Sequence, residues 1–164
     1  MLLFSIIVVE NSMDSKDRKI LELLQQNAMY TAGEIAERIG LTTTPVWRRI
    51  QRLEEEGYIR GRVALLDRAK MNVGITVFVA IRTSHHSKEW LDNFRDTMLG
   101  IPEIVEAHRL SGEIDYLLRI VLPSIEDYDR VYKRLINAVE FLDISSSFSM
   151  EELKWTTAVP VSHV

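Results

Sequence analysis

The thirteen residues Leu41-Thr42-Thr43-Thr44-Pro45-Val46-Trp47-Arg48-Arg49-Ile50-Gln51-Arg52-Leu53, closed by Glu54-Glu55-Glu56-Gly57, constrain this chain more than any other stretch. The spacing predicts a short helix. Thr42 is placed to accept a hydrogen bond from an orphan N–H of the first turn, and Pro45 falls where a missing N–H costs nothing and a fixed φ already suits a helix. Gly57 supplies a left-handed stop. At about 100° per residue, Val46, Ile50 and Leu53 form one narrow apolar stripe, with Thr44, Arg48, Gln51, Arg52 and Glu55 opposite. One side packs, and the other carries arginines and hydroxyls toward a partner.

What precedes this helix says what the partner is. Thr31-Ala32-Gly33-Glu34 has the form of a capping box, in which a threonine side chain serves the third N–H and a glutamate reaches back. It opens a helix with Ile35, Ala36 and Ile39 on its apolar side. Gly40 ends that helix, and only Leu41 and Thr42 separate the two. A short helix, a tight glycine turn and a second, basic helix make a helix-turn-helix, a motif whose second helix enters the DNA major groove. The N-terminal part of that helix meets base edges, which selects Thr43, Thr44, Trp47, Arg48 and Arg49. Arg52 lies further along, where phosphate is the expected contact. Asp14 is placed to cap an earlier helix whose Ile20, Leu21, Leu23 and Leu24 complete a three-helix core. Tyr58-Ile59-Arg60-Gly61-Arg62 is expected to leave in extended form as a wing, with Arg60 and Arg62 toward the DNA backbone.

Charge agrees with a localised contact. Residues 14–62 hold nine lysines and arginines against eight acids, whereas 63–164 hold eleven against fifteen, within a net charge of −4. An acidic chain that gathers arginines on one helix suits a site-directed double-stranded DNA contact rather than general polyanion binding. The 164 residues, 46% hydrophobic, suffice for one medium core or two small ones, and the absence of cysteine excludes disulfides, zinc fingers and thiol catalysis within the chain. A cytoplasmic location fits this composition.

The first twelve residues stand apart. Leu2-Leu3-Phe4-Ser5-Ile6-Ile7-Val8-Val9 is apolar and β-prone but far too short to cross a bilayer, so no membrane role follows. An added strand, a signal remnant and upstream sequence included by the wrong start codon are the three readings. Met13 followed directly by Asp14 favours the last, which an intact-mass measurement of the native protein tests.

After Leu66 the pattern changes. Residues 73–83 alternate as a strand, with Ile75, Val77, Val79 and Ile81 on one side. Residues 88–99 are helical, with Leu91, Phe94 and Met98 aligned. Residues 104–110 and 116–122 read as strands joined at Ser111-Gly112-Glu113-Ile114-Asp115. A second helix follows Pro123-Ser124, marked by Tyr128, Val131, Leu135 and Val139, and residues 145–150 return to strand. The order β-α-β-β-α-β specifies a ferredoxin-like α+β domain with both helices on one sheet face, the other face being left for a second subunit. The expected organisation is an extension (1–12), a winged helix-turn-helix domain (13–62), a linker strand (63–71) and a ferredoxin-like domain (72–164).

These motifs in this order resemble the Lrp/AsnC family, also called feast/famine regulators, over nearly everything from Met13 to Pro160. Asp14-Ser15-Lys16-Asp17-Arg18-Lys19-Ile20-Leu21, the Leu41 to Leu53 run, Gly57-Tyr58-Ile59 and Ser111-Gly112-Glu113-Ile114-Asp115-Tyr116-Leu117-Leu118 carry the match. The resemblance implies an amino-acid-responsive transcription regulator that dimerises through its C-terminal sheet and assembles further into tetramers, octamers or discs. It also implies that residues 62–66 pair with their counterpart in the dimer. Thr42-Thr43-Thr44-Pro45, Trp47, the 85–90 run from His85 to Trp90, the 146–151 run from Ser146 to Glu151, Thr156-Thr157 and Pro160 are similar to the branch containing a cysteine-responsive activator of cysteine detoxification. Cysteine is therefore the leading effector.

An effector pocket for a free amino acid needs an acceptor for the ammonium and open N–H groups for the carboxylate. Asp115 or Glu113 suits the first, and the Gly112 turn the second. The same residues also suit a plain hairpin in which Gly112 makes the turn and Asp115 caps it. The resemblance places the ligand in this turn, between subunits, which selects Ser111, Gly112, Glu113 and Asp115, with Ser147 and Phe148 from the last strand. No catalytic constellation and no cofactor motif stands out. His85-His86, in a polar loop without a third ligand nearby, reads as solvent-exposed rather than as a metal site. Two other functions share the two-domain plan: a sirohaem-decarboxylase-like enzyme, for which His108 is the relevant residue, and an effector-independent architectural DNA-binding protein.

Overall fold

A computed structural model describes residues 13–85 and 87–164. The 1–12 extension and His86 lie outside the described residues, and with them the reading of the N-terminal segment. The described residues form two compact units, residues 13–64 with 154–164, and residues 65–153 apart from His86.

The first unit is built from α1 (Ser15–Gln26), α2 (Ala32–Ile39) and α3 (Thr43–Glu55). Each start has a physical cause. Asp14 caps α1 through its carboxylate, and Asp17 returns the bond to complete a capping box. Thr31 and Glu34 form the expected box at α2, and Gly40 closes that helix at φ 67°. Thr42 caps α3 by backbone position alone: its side chain makes no capping hydrogen bond, contrary to the sequence reading. Pro45 compensates in part, since at the third helical position it removes one N–H that would otherwise need a partner. Gly57, at φ 80°, turns the chain out of α3.

Ile20, Leu21, Ile35, Ala36, Ile39, Val46, Ile50 and Leu53 bury together as the core of this unit, with Tyr58 and Ile59 packed against it. Ile59 donates its N–H to the Leu53 carbonyl at 3.1 Å, so the chain after α3 first folds back on the core. Residues 56–74, all of them described, contain no strand. The linker residues 63–66 belong to no helix or strand, and Val63, Leu65 and Leu66 are exposed. Residues 154–164, which the sequence reading placed with the second domain, belong to the first: Val161 is buried in the helical core, and Gln25 holds Val159 by two hydrogen bonds.

The second unit has β1 (Ile75–Arg82), α4 (Lys88–Leu99), β2 (Ile104–Arg109), β3 (Tyr116–Leu122), α5 (Ile125–Ala138) and β4 (Asp143–Phe148). The sheet order is β2-β3-β1-β4, antiparallel throughout, which is the ferredoxin-like arrangement. Val77, Val79 and Ile81 of β1 and Leu118, Ile120 and Leu122 of β3 share one face. There they bury against Trp90 and Phe94 of α4 and Val131 and Leu135 of α5. Both helices therefore lie on that face, as the alternation required. Trp90 was absent from the expected helix stripe; it is buried and donates its ring N–H to the Glu140 carbonyl. On the other face Phe78 is 40% exposed, an apolar side chain that no described element of this unit covers, whereas Phe148, registered opposite Val77, lies on the helix face.

Candidate DNA interface and effector site

The outward side of α3 is sorted by its ion pairs. Thr43, Thr44, Trp47 and Arg48 are exposed, and among the described residues Arg48 has no carboxylate partner. Arg49 and Arg52 differ. Arg49 Nη1 donates to Asp14 Oδ2 at 2.8 Å and to Asp17 Oδ1 at 2.7 Å, and Arg52 Nη2 donates to the other Asp17 oxygen at 2.6 Å. The Asp17 carboxylate is fully buried between α1 and α3, where an ionised group persists only if paired and hydrogen-bonded. Asp17 first, and then Asp14, hold the Arg49 guanidinium more firmly protonated than usual. The sequence reading put all three arginines toward DNA, whereas the fold commits two of them to α1.

Asp17 itself escaped the sequence reading, although a signal existed. It stands on the same helical stripe as Ile20, Leu21 and Leu24, so an acid had to be buried there, and only cations on a neighbouring helix compensate one. In the expected wing, Arg62 pairs with Glu54 at 2.7 Å, while Arg60 is exposed.

The proposed effector residues fall into two groups. Gly112 sits at φ 127°, a conformation that side chains rarely adopt, and Ser111, Gly112 and Glu113 are exposed. Asp115 is already engaged within the sheet. Its Oδ2 accepts the Thr83 N–H at 2.8 Å while its own N–H goes to the Ile81 carbonyl at 2.8 Å. The carboxylate thus caps the end of β1 rather than its own turn. Ser147 and Phe148 are elsewhere on the sheet. Ser147 opposes Phe78, which opposes Arg119, four residues beyond Asp115. At about 3.3 Å per residue, and two strand spacings of about 4.8 Å across, Ser147 is roughly 16 Å from the turn. One chain does not bring the two groups around a single small molecule.

Phe148 packs edge-on against Tyr128 at 5.5 Å, and the Tyr128 hydroxyl bonds Ser146. Burial raises the Tyr128 pKa above the ordinary phenol range. His108 is exposed on β2 and lies 3.7 Å from Glu106, whose carboxyl is held low chiefly by Arg119. His85 Nε2 lies 3.4 Å from Glu140 Oε2. Among the described residues no helix is long and apolar enough to cross a membrane.

Family models match both units: a winged helix-turn-helix DNA-binding model over residues 13–60 and an Lrp/AsnC ligand-binding-domain model over residues 76–159. This chain belongs to the Lrp/AsnC family. The glutamate uptake regulatory protein of Zymomonas mobilis is 50% identical over 149 residues, covering 91% of each chain. The crystal structure of an AsnC-family transcriptional regulator from Agrobacterium tumefaciens matches with a TM-score of 0.88 at 52% identity, covering 92% of this chain and 99% of that one. A Neisseria meningitidis transcriptional regulator solved with L-methionine matches with a TM-score of 0.87 at 32% identity, covering 93% and 99%. As an Lrp/AsnC protein, the chain is a DNA-binding transcriptional regulator with an amino-acid ligand-binding domain, and its relatives' names indicate no enzyme.

Proposed function

We propose that the protein binds a specific operator through the N-terminal half of α3 and that a free amino acid, with cysteine as the leading effector, alters its assembly and so its grip on DNA. The observation that carries the first part is the exposed set Thr43, Thr44, Trp47 and Arg48 on a helix fixed by its own core and by buried Asp17. Arg48 combines a planar fork, a permanent charge and freedom from ion pairs among the described residues, which suits bidentate contact with guanine. The effector reading is supported by the ligand-binding-domain match and by the L-methionine complex of the Neisseria relative. Cysteine rests on the resemblance of the 42–47, 85–90 and 146–151 segments to the cysteine-responsive branch.

The ammonium of the effector is assigned to Glu113, exposed beside the turn, and its carboxylate to N–H groups around Ser111 and Gly112. Asp115 shapes this turn. Ser147 joins the site from a second subunit across the open sheet face, since one chain keeps it apart from the turn, while Phe148 lies behind it on the helix face against Tyr128. A homodimer, extended to a tetramer or octamer, is then part of the binding site. Such coupling needs the ligand to favour one assembly over another.

Fluorescence anisotropy on DNA from upstream of the protein's own gene tests this, at fixed salt, with cysteine under reducing conditions and a panel of other amino acids. Specific binding that moves with cysteine supports the proposal in full. A response to another amino acid replaces the effector, and specific binding unmoved by any leaves an effector-independent architectural protein. Equal binding to random DNA removes the operator-specific reading.

A further inference from the structure

The two basic side chains that α3 turns toward α1 carry a consequence for specificity. DNA-binding helices gain affinity for any duplex in proportion to the phosphates their cations neutralise, and that gain is independent of sequence. Here two of the three arginines of α3 are neutralised internally: Asp17 gives one oxygen to each of Arg49 and Arg52, and Asp14 adds a second contact to Arg49. Glu56 stands 4.0 Å from Arg52 Nε on its other side. The carboxylates are rigidly supplied, since Asp14 and Asp17 are also bound into the capping box of α1. Arg48, next in sequence to Arg49 but turned about 100° around the helix, is left without a partner among the described residues.

We infer that Asp17 is a specificity-determining positioning residue: it withdraws Arg49 and Arg52 from the DNA phosphates, so that Arg48 alone among the α3 arginines meets DNA and sequence-independent binding is kept weak. The inference rests on α3 being the DNA-reading helix. Asp17→Asn, which keeps the shape and removes the charge, releases the two guanidiniums to swing toward phosphate.

The experiment compares wild type, Asp17→Asn and the triple variant Asp17→Asn/Arg49→Gln/Arg52→Gln on a random-sequence duplex, by anisotropy over a range of NaCl concentrations, with circular dichroism confirming the fold. Each guanidinium that gains a phosphate steepens the slope of log K against log salt by about 0.9. Asp17→Asn is expected to steepen the slope by about one to two per DNA-bound unit and to tighten random-DNA binding. The triple variant is expected to return to the wild-type slope, which loss of packing alone would not achieve. An unchanged slope in Asp17→Asn overturns the inference, and so does a triple variant shallower than wild type, because Arg49 and Arg52 would then already touch phosphate. If either variant fails to fold, the other comparison decides. Failure of wild type to bind any duplex would instead remove the DNA-binding role of α3 on which the inference stands.

Discussion

Gln25 meets Val159 as a neighbouring β-strand would: its Nε2 donates to the Val159 carbonyl at 3.1 Å and its Oε1 accepts the Val159 N–H at 2.7 Å. Arg18 adds a bond to the Val164 carbonyl at 2.8 Å, and the Val161 side chain enters the helical core. The C-terminal segment is therefore a structural part of the helix-turn-helix unit. Val161→Ala is expected to lower the stability of that unit by about 1–2 kcal/mol, the transfer cost of the lost methyls plus the space they leave. Gln25→Ala is expected to cost about 1 kcal/mol, because its bonds are solvent-exposed. Urea denaturation of the full chain followed by circular dichroism measures both, and an unaltered midpoint for Val161→Ala would show that the segment does not pack there.

On the DNA side, Arg48→Ala is expected to weaken operator binding by about 1–3 kcal/mol and to relax preference at one base position. Competition binding with operators mutated base by base reads this. Equal losses on operator and random DNA would show that Arg48 meets phosphate instead of a base.

The fates of Arg48, Arg49 and Asp17 also show what periodicity conveys. The apolar stripes of the helices and the alternation of β1 recur in the core because burial of a whole face leaves a repeating pattern. The capping boxes and the stops at Gly40 and Gly57 were legible for a related reason: each is local, and its partners are three or four residues apart. Ion pairs between helices leave no such trace. Arg48 and Arg49 look alike in sequence, and only the buried carboxylate 32 residues before Arg49 separates them. In the 111–115 turn, Gly112 was legible from turn chemistry, but the Asp115 bond to Thr83 joins two strands and required the sheet register. The return of residues 154–164 to the first unit was hidden as well, since an extended tail has no period of its own.

That register separates two acids that look equivalent in the 111–115 turn. Asp115→Asn weakens the bond to the Thr83 N–H and Asp115→Ala leaves that group unmet, a loss of about 1–3 kcal/mol. Glu113→Gln is expected to leave the melting temperature unchanged and to reduce amino-acid affinity several-fold. Calorimetric titration alongside thermal melting distinguishes the two roles. Should Glu113→Gln bind the effector normally, the ammonium is held elsewhere.

The anchor of α1 sets an acid limit on the first unit. The Asp17 backbone N–H, and then Arg49, hold the Asp14 carboxyl below its ordinary range, outweighing the opposing effect of its slight burial. A lowered folded-state pKa contributes stability that is complete above the unfolded value of about 4 and is lost as pH falls through the folded value. Half of the Asp14 side chain is exposed, so solvent screening keeps its share small. The expected outcome is a stability of this unit that is flat from pH 7 to about 5 and declines below about pH 4, with a shallower decline in Asp14→Asn. Urea midpoints measured at intervals from pH 7 to pH 3 check it. A variant as steep as wild type would mean that the acid transition belongs to other carboxylates, because a neutral asparagine at this position keeps the helix cap and removes only the titrating charge.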